Sequence, residues 1–283
     1  MRIRTIIPVI VALGVSAALC AQSPSFSASA RFLWKTASAR LEVSRALDRS
    51  IPSLQRAENE AEAAIDSAFT DLFIQAVSPL VVDSFRTVGG LAASDPGFFS
   101  WIQGLARSAR KDALFLSPDF AKATAAYGFP FFGDSGIAVP LYPAADSRIP
   151  RRLSRAPTMV FTGLVVYAKD PLPEAGGTET AQAVPALFPR LFDEEMNVVF
   201  EKGMEKPSAL AAWGMVGYAD SIEDPAILSR CGRDPLTVVA RAVFGANRTD
   251  LVISTRAAEQ LLCLKENGEI FKEGRVCIVY PEL

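Results

Sequence analysis

Histidine is absent from the 283 residues. That absence excludes a Ser-His-Asp or Cys-His nucleophile, an imidazole general base and a histidine-ligated metal centre. Only carboxylates, lysine, tyrosine or an unassisted serine remain for any chemistry, and no cofactor is expected. Cysteine is scarce: Cys20 near the start, then Cys231, Cys263 and Cys277. No pair of these has the Cys-x-x-Cys spacing of a zinc or redox site. The last three allow one disulfide with one thiol left over, in any of three pairings. Cys263 and Cys277 stand inside apolar runs ("LLCL", "RVCIVY"), where a free cysteine behaves as a small hydrophobe. Neither sign of charge is in excess, with 29 basic and 31 acidic residues. A nucleic-acid binder shows a basic excess or a clustered basic face, so that class is not expected.

Long apolar runs are missing after residue 19, and a membrane span needs about 20 such residues. The N-terminus, "MRIRTIIPVIVALGVSAALCAQSPS", has a basic start, a short apolar middle and small residues at its end. This is the anatomy of a secretory signal over residues 1–21, with cleavage expected after Ala21. Lipidation at Cys20 is the rival, but a lipoprotein signal calls for a small residue where Leu19 stands. Removing Arg2 and Arg4 with the signal leaves 27 basic residues against 31 acidic. The expected mature protein is exported, to the periplasm or in association with the outer membrane, and has no transmembrane span.

What is present is enough apolar material for a core: half the residues are hydrophobic. Residues 22–30 read as a lead-in and Ser38–Leu47 as a strand. In "SLQRAENEAEAAIDSAFTDLFIQAV", Leu54, Ala61, Ile65, Ala68, Leu72 and Ala76 recur at helical spacing, with the acids mostly off that stripe. "LVVDSFRTV" reads as a short strand. Asp95 and Pro96 open a second helix as N-cap and first helical residue, with Phe98, Trp101, Ile102 and Leu105 facing inward. The segment 144–157, "AADSRIPRRLSRAPT" with its neighbour, reads as a basic, proline-containing linker. Beyond it come short strands, a predicted helix over "SALAAWGMVGYADS", another over "TRAAEQLLCLKENG", and a final strand "RVCIVY". The pattern predicts an α+β protein of two modules, 22–143 and 158–283. Each has a mixed or antiparallel sheet with amphipathic helices packed on it.

Four stretches invite a chemical reading. Asp193-Glu194-Glu195 lies between two apolar runs and reads as an exposed hairpin tip, where replacing all three with serine costs less than about 1 kcal/mol. Paired catalytic carboxylates would instead need a cleft with unlike surroundings. "GDSG" at 133–136 imitates the surroundings of a protease serine, but no histidine exists to take its proton; a loop is expected. "EAGGTET" lacks the lysine and following helix of a phosphate loop, and Asn247 opens a glycosylation triplet. Arg148, Arg151, Arg152 and Arg155 admit a functional reading, contact with an anionic surface such as lipid headgroups, beside the plain one of an exposed loop.

"FTGLVVYAKD", "PRLFDEEMNVVFE", "GMVGYADS", "DPLTVVARAVFGANRTDLVIS" and "RVCIVY" occur in an order that resembles a group of secreted bacterial envelope proteins. That group is similar to the small outer-membrane lipoproteins related to flagellar disc and ring components. "LEVSRALDRSIPSLQRAENEAEAAI" with "VVDSFRTVG" looks like the module that accompanies it. The resemblance implies a compact module used for assembly with other envelope proteins, and it brings no catalytic residue. The function expected is therefore that of a non-enzymatic envelope scaffold or interaction protein, accessory to a cell-envelope or flagellar assembly. A periplasmic ligand-binding module with loop 170–185 over a pocket, and a carboxylate-only hydrolase, are the alternatives.

Overall fold

The computed structural model describes residues 26–143, 147–154 and 157–281. The expected leader with Cys20 and its cleavage site, and Arg155, lie outside the described residues. The first module is a four-stranded antiparallel sheet backed by helices. Strand β1 (Phe26–Leu33) runs into β2 (Ser38–Ala46) through a tight turn, and β3 (Lys111–Leu116) and β4 (Lys122–Pro130) follow after helices α1 (Leu54–Val77), α2 (Val88–Ser94) and α3 (Pro96–Ser108). The strand order is β1-β2-β4-β3, with β2 and β4 paired along their full length from Ser38↔Pro130 to Ala46↔Lys122. Strand β1 replaces part of the expected lead-in. Its alternating Ser and Ala give little hydrophobic signal, but pairing with β2 satisfies its backbone.

Helix α1 buries Ala57, Ala61, Ile65, Phe69, Phe73 and Val77. The stripe read from sequence is thus displaced from Ala68, Leu72 and Ala76 to the neighbouring row, and Leu54 is exposed. Rings remove far more surface from water than alanines do, so Phe69 and Phe73 turn inward, onto Tyr127 and Phe129 of β4. Asp95 caps α3 as expected, accepting from the amides of Gly97 and Phe98. The strand expected at "LVVDSFRTV" is a tight loop closed by a single bridge, Val81↔Thr87. Its carbonyls at Val81 and Val82 instead accept from Leu187 and Phe188 of the second module.

The second module holds shorter elements: β5 (Leu164–Tyr167), β6 (Leu172–Pro173), β7 (Thr180–Ala181), β8 (Leu191–Phe192), β9 (Val198–Phe200), α4 (Pro207–Trp213), β10 (Gly217–Ala219), α5 (Pro225–Cys231), β11 (Leu236–Val239), β12 (Ala242–Phe244), β13 (Asp250–Val252), α6 (Thr255–Leu262), α7 (Gly268–Lys272) and β14 (Val276–Val279). Strands β10-β14-β5-β11 form a parallel sheet, and β12-β13-β8-β9 form a mixed one. The helix predicted over "SALAAWGMVGYADS" ends at Trp213. Gly214 takes a φ of 76°, and a Cβ there would stand 2.3 Å from the Phe132 ring, so only glycine can make this turn from α4 toward β10.

One continuous core runs through both modules. Trp34 packs edge-on against Tyr218 and Phe132 against Phe188. Ser84 hydrogen-bonds Thr249, and Asn247 donates to the Asp83 carbonyl. The chain is therefore α+β with two modules. No helix among the described residues is long and apolar enough to cross a membrane.

Candidate functional site

The acidic turn at 193–195 connects β8 to β9, with Met196 in the left-handed region at φ 61°. As expected, it is a turn. Contrary to expectation, its first acid is not exposed: Asp193 is fully buried and pairs with Arg152. Its Oδ1 also accepts from the amides of Glu195 and Asn197, at 3.0 and 2.8 Å. Burial alone would raise this carboxyl. The Asn197 side chain and backbone and the Arg152 guanidinium outweigh it and hold the pKa below the ordinary carboxylate range. Glu194 accepts from the Thr255 amide at the start of α6, which Ser254 also caps. The turn thus clamps the crossing segment on one side and helix α6 on the other.

That clamp explains the path of the basic segment. The Ser147 amide donates to the Gly203 carbonyl, and the Arg152 amide to the Leu262 carbonyl. A Cβ on Gly203 would stand 2.2 Å from Ser147 Oγ, so glycine allows the strap to lie this close. Residues 147–152 are in this way a strap across the second module and not a free linker. Of the four arginines singled out from sequence, Arg152 is diverted into the ion pair with Asp193, and Arg155 lies outside the described residues. Arg148 and Arg151 both line the cleft described next, are exposed, and have no acidic partner among the described residues.

Under the strap lies a cleft of about 410 Å³, within the range of small-molecule sites. Its apolar wall comes from Ile149, Met204, Leu261 and Leu264. Its rim carries Arg148, Arg151, Lys206, Lys265 and Lys272. Two of these are neutralised: Lys206 pairs with Glu273, and Lys272 with Glu269 at 2.5 Å. Lys265, like the two arginines, is exposed and has no acidic partner among the described residues. Three cations without an acidic partner among the described residues thus line one apolar hollow.

Glu205 also lines this cleft and is 1% exposed, and neither carboxyl oxygen has a hydrogen-bond partner. Burial pushes its pKa up to about 9, the nearby Arg230 opposing and Glu273 reinforcing the shift. Arg230 makes no hydrogen bond to it, and three of the five guanidinium N–H groups donate to backbone carbonyls instead. Its Nε donates to the Gly274 carbonyl at 2.7 Å and its Nη1 to that of Trp213 at 2.9 Å, and its Nη2 donates to Gly214. The acid is uncharged at neutral pH and adds no negative charge to the cationic rim. Sequence reading missed Glu205 and Lys265. Nothing in "GMEKPS" or "CLKENG" marks one as buried or the other as unpaired, since both facts depend on how the strap, α6 and α7 converge.

The other stretches fall elsewhere. "GDSG" is a turn with Ser135 exposed, and Tyr142 accepts from the Gly133 amide. The Phe residues of "GFPFFG" turn inward, Phe131 completely. Loop 170–185 does not line the cleft; Glu174–Gly177 borders a separate hollow near Phe244, with Glu174 paired to Arg248. Asn247 uses its side-chain amide to hold the 83–86 loop. Cys231 and Cys277 are buried in one cluster and Cys263 is outside it, all three with free thiols. The hydrogen-bonding contact with Cys277, with burial, pushes the Cys231 thiol far up. Among the described residues no group of three or more His, Cys, Asp or Glu could hold a metal ion.

Two family models match the chain. Residues 25–134 match the N-terminal domain of Treponema pallidum Tp0624, and residues 163–282 match the second domain of the same protein. The chain is thus similar, module by module and in order, to two consecutive domains. The strap falls between the two matched spans. No curated protein matches.

Proposed function

We propose that the chain is a non-enzymatic binding protein of the bacterial envelope, and that the cleft under the strap is where it takes hold of an anionic group. One observation carries the reading: Arg148, Arg151 and Lys265 stand around an apolar hollow with no acidic partner among the described residues. Cations left without carboxylates attract anions most strongly where the surrounding wall is of low dielectric. Hydrolysis by carboxylates alone needs two acids facing each other at about 5–10 Å. Among the described residues that line this cleft Glu205 is the one carboxylate, with no second acid beside it. Envelope placement rests on the leader-like start of the sequence, and a scaffolding role, in the envelope or a flagellar assembly, follows if the anion belongs to a larger partner.

The test is thermal melting at low salt with inorganic pyrophosphate as the probe. Ligand binding to the folded state alone stabilises by about 2.7 kcal/mol at a hundredfold excess over Kd. A saturable rise in Tm is expected, and it should vanish when Arg148, Arg151 and Lys265 are together replaced by serine. A rise of equal size in the triple variant, or none in the parent, would refute the cleft as an anion site.

A further inference from the structure

The cleft is cationic at its rim and apolar inside, and that combination narrows what the anion belongs to. A free inorganic anion has no use for Ile149, Met204, Leu261 and Leu264. More apolar side chains stand exposed on the same crossing segment. Leu153, one residue beyond Arg152, has no cover at all, and Met159 and Val160 are each 56% exposed. The backbone around Met159 and Val160 is fixed. Asn267 donates to the Met159 carbonyl and accepts from the Phe161 amide, and Thr158 donates to the Gln260 carbonyl. The backbone of 158–161 is thus held against Gln260 and Asn267, close in sequence to Lys265, with Met159 and Val160 turned to solvent; Leu153 is turned to solvent on the strap that carries Arg148 and Arg151.

Scattered exposed apolar residues are ordinary, but a fixed group of them next to unneutralised cations is the composition of a membrane-surface contact. Basic residues engage the anionic headgroups while apolar ones enter the acyl boundary. The charge complementarity is specific to one kind of surface, because a zwitterionic bilayer offers no net attraction to Arg148, Arg151 and Lys265. We infer that this face docks the protein onto an anionic lipid bilayer: the three cations hold lipid phosphates, Leu153, Met159 and Val160 enter the headgroup boundary, and the cleft accepts part of one lipid. This rests on the reading of the cleft as an anion site.

The experiment is co-sedimentation of the purified protein with vesicles of phosphatidylcholine containing phosphatidylglycerol, and with vesicles of phosphatidylcholine alone. Binding is expected only to the first, and it should weaken as salt is raised. Each basic residue near an anionic surface contributes about a fivefold change in partition, so the R148S/R151S/K265S variant should bind on the order of a hundredfold more weakly. A second variant, L153S/M159S/V160S, keeps the charges and should lose at least about tenfold through lost apolar burial. All six positions are solvent-facing, and unchanged melting without ligand would show that both variants fold. Equal binding to the two vesicle types would overturn the inference, as would full binding by the triple basic variant. Stabilisation by pyrophosphate without retention on anionic vesicles would overturn it while leaving the anion site intact; failure of both probes would remove both.

Discussion

The two modules bury different things. The first holds its sheet and helices together almost entirely with apolar side chains: Ile65, Phe69 and Phe73 of α1 lie against Leu41, Val43, Tyr127 and Phe129 of the sheet. The second buries Asp193, Glu205, Arg230, Thr249, Asp250 and Asn267 as well. Ser84, the one polar side chain buried from the first half of the described residues, reaches across to Thr249. Long strands and a long helix can specify their own packing by periodicity. Strands of two to four residues cannot, and here buried polar groups fix the path between them: Asp193 ties the strap, Asp250 accepts from Arg190 at 2.9 Å, and Asn267 ties the 159–161 pass. A site needs side chains held in place from several directions, and the buried polar groups of the second module supply that.

If the comparison is right, the largest losses in the two halves should be of similar size but different kind. Phe73→Ala should destabilise by about 3–5 kcal/mol through a cavity, with no dependence on pH. Asp193→Ala should also cost about 3–5 kcal/mol at pH 7, because it strands Arg152 and removes acceptors for three N–H groups of the turn. The Asp193 loss should fade in acid. The folded pKa lies below the unfolded value, so the carboxylate contributes fully above about pH 4 and less as pH falls through the folded value. Denaturant melts of both variants at pH 7 and pH 3 separate the two mechanisms, and a pH-independent Asp193 loss would erase the distinction.

Glu205 carries a pH dependence of the opposite sign. Its folded pKa, raised to about 9 from an ordinary 4.5, means that the folded state holds a proton which the unfolded chain releases. Stability from this group is complete below about pH 4.5, declines up to about pH 9 and is flat above, with a slope near 1.4 kcal/mol per pH unit. Glu205→Gln keeps the shape without the titration, so the stability–pH profile of the variant should lack that decline. An unchanged slope would mean the acid is ionised in the fold.

Smaller effects fall at the turn. Glu194→Ala should cost about 1 kcal/mol by removing an acceptor from the first turn of α6, as caps do. Glu60→Ser, on the exposed side of α1, should stay within about 0.5 kcal/mol. A large loss at Glu60 would show that the acidic helix face has a partner.

The same contrast decides what could be read from sequence. Helix α1, the Asp95 cap and strand β14 were legible because each carries a local signal: a helical period, a capping pair and an apolar run. The exact row of α1 was not, because the pattern weighs alanine and phenylalanine alike while burial does not. Strand β1 carries serine at alternate positions and is held by its neighbour, so it read as a lead-in. In the second module, "LFDEEM" was legible as a turn, but the depth of Asp193 depends on Arg152, 41 residues earlier. The arginines of the strap were noticed as a cluster, yet their division into one buried partner and two free cations is a property of the packed chain. Glu205 left no local sign.

An anion held under the strap reveals its place through the backbone amide resonances as pyrophosphate is added. Residues 147–149, 151, 204–206 and 264–268 should shift together and saturate along one binding curve. Shifts centred elsewhere, such as around Lys202 or Phe244, or no saturable shift at all, would contradict it.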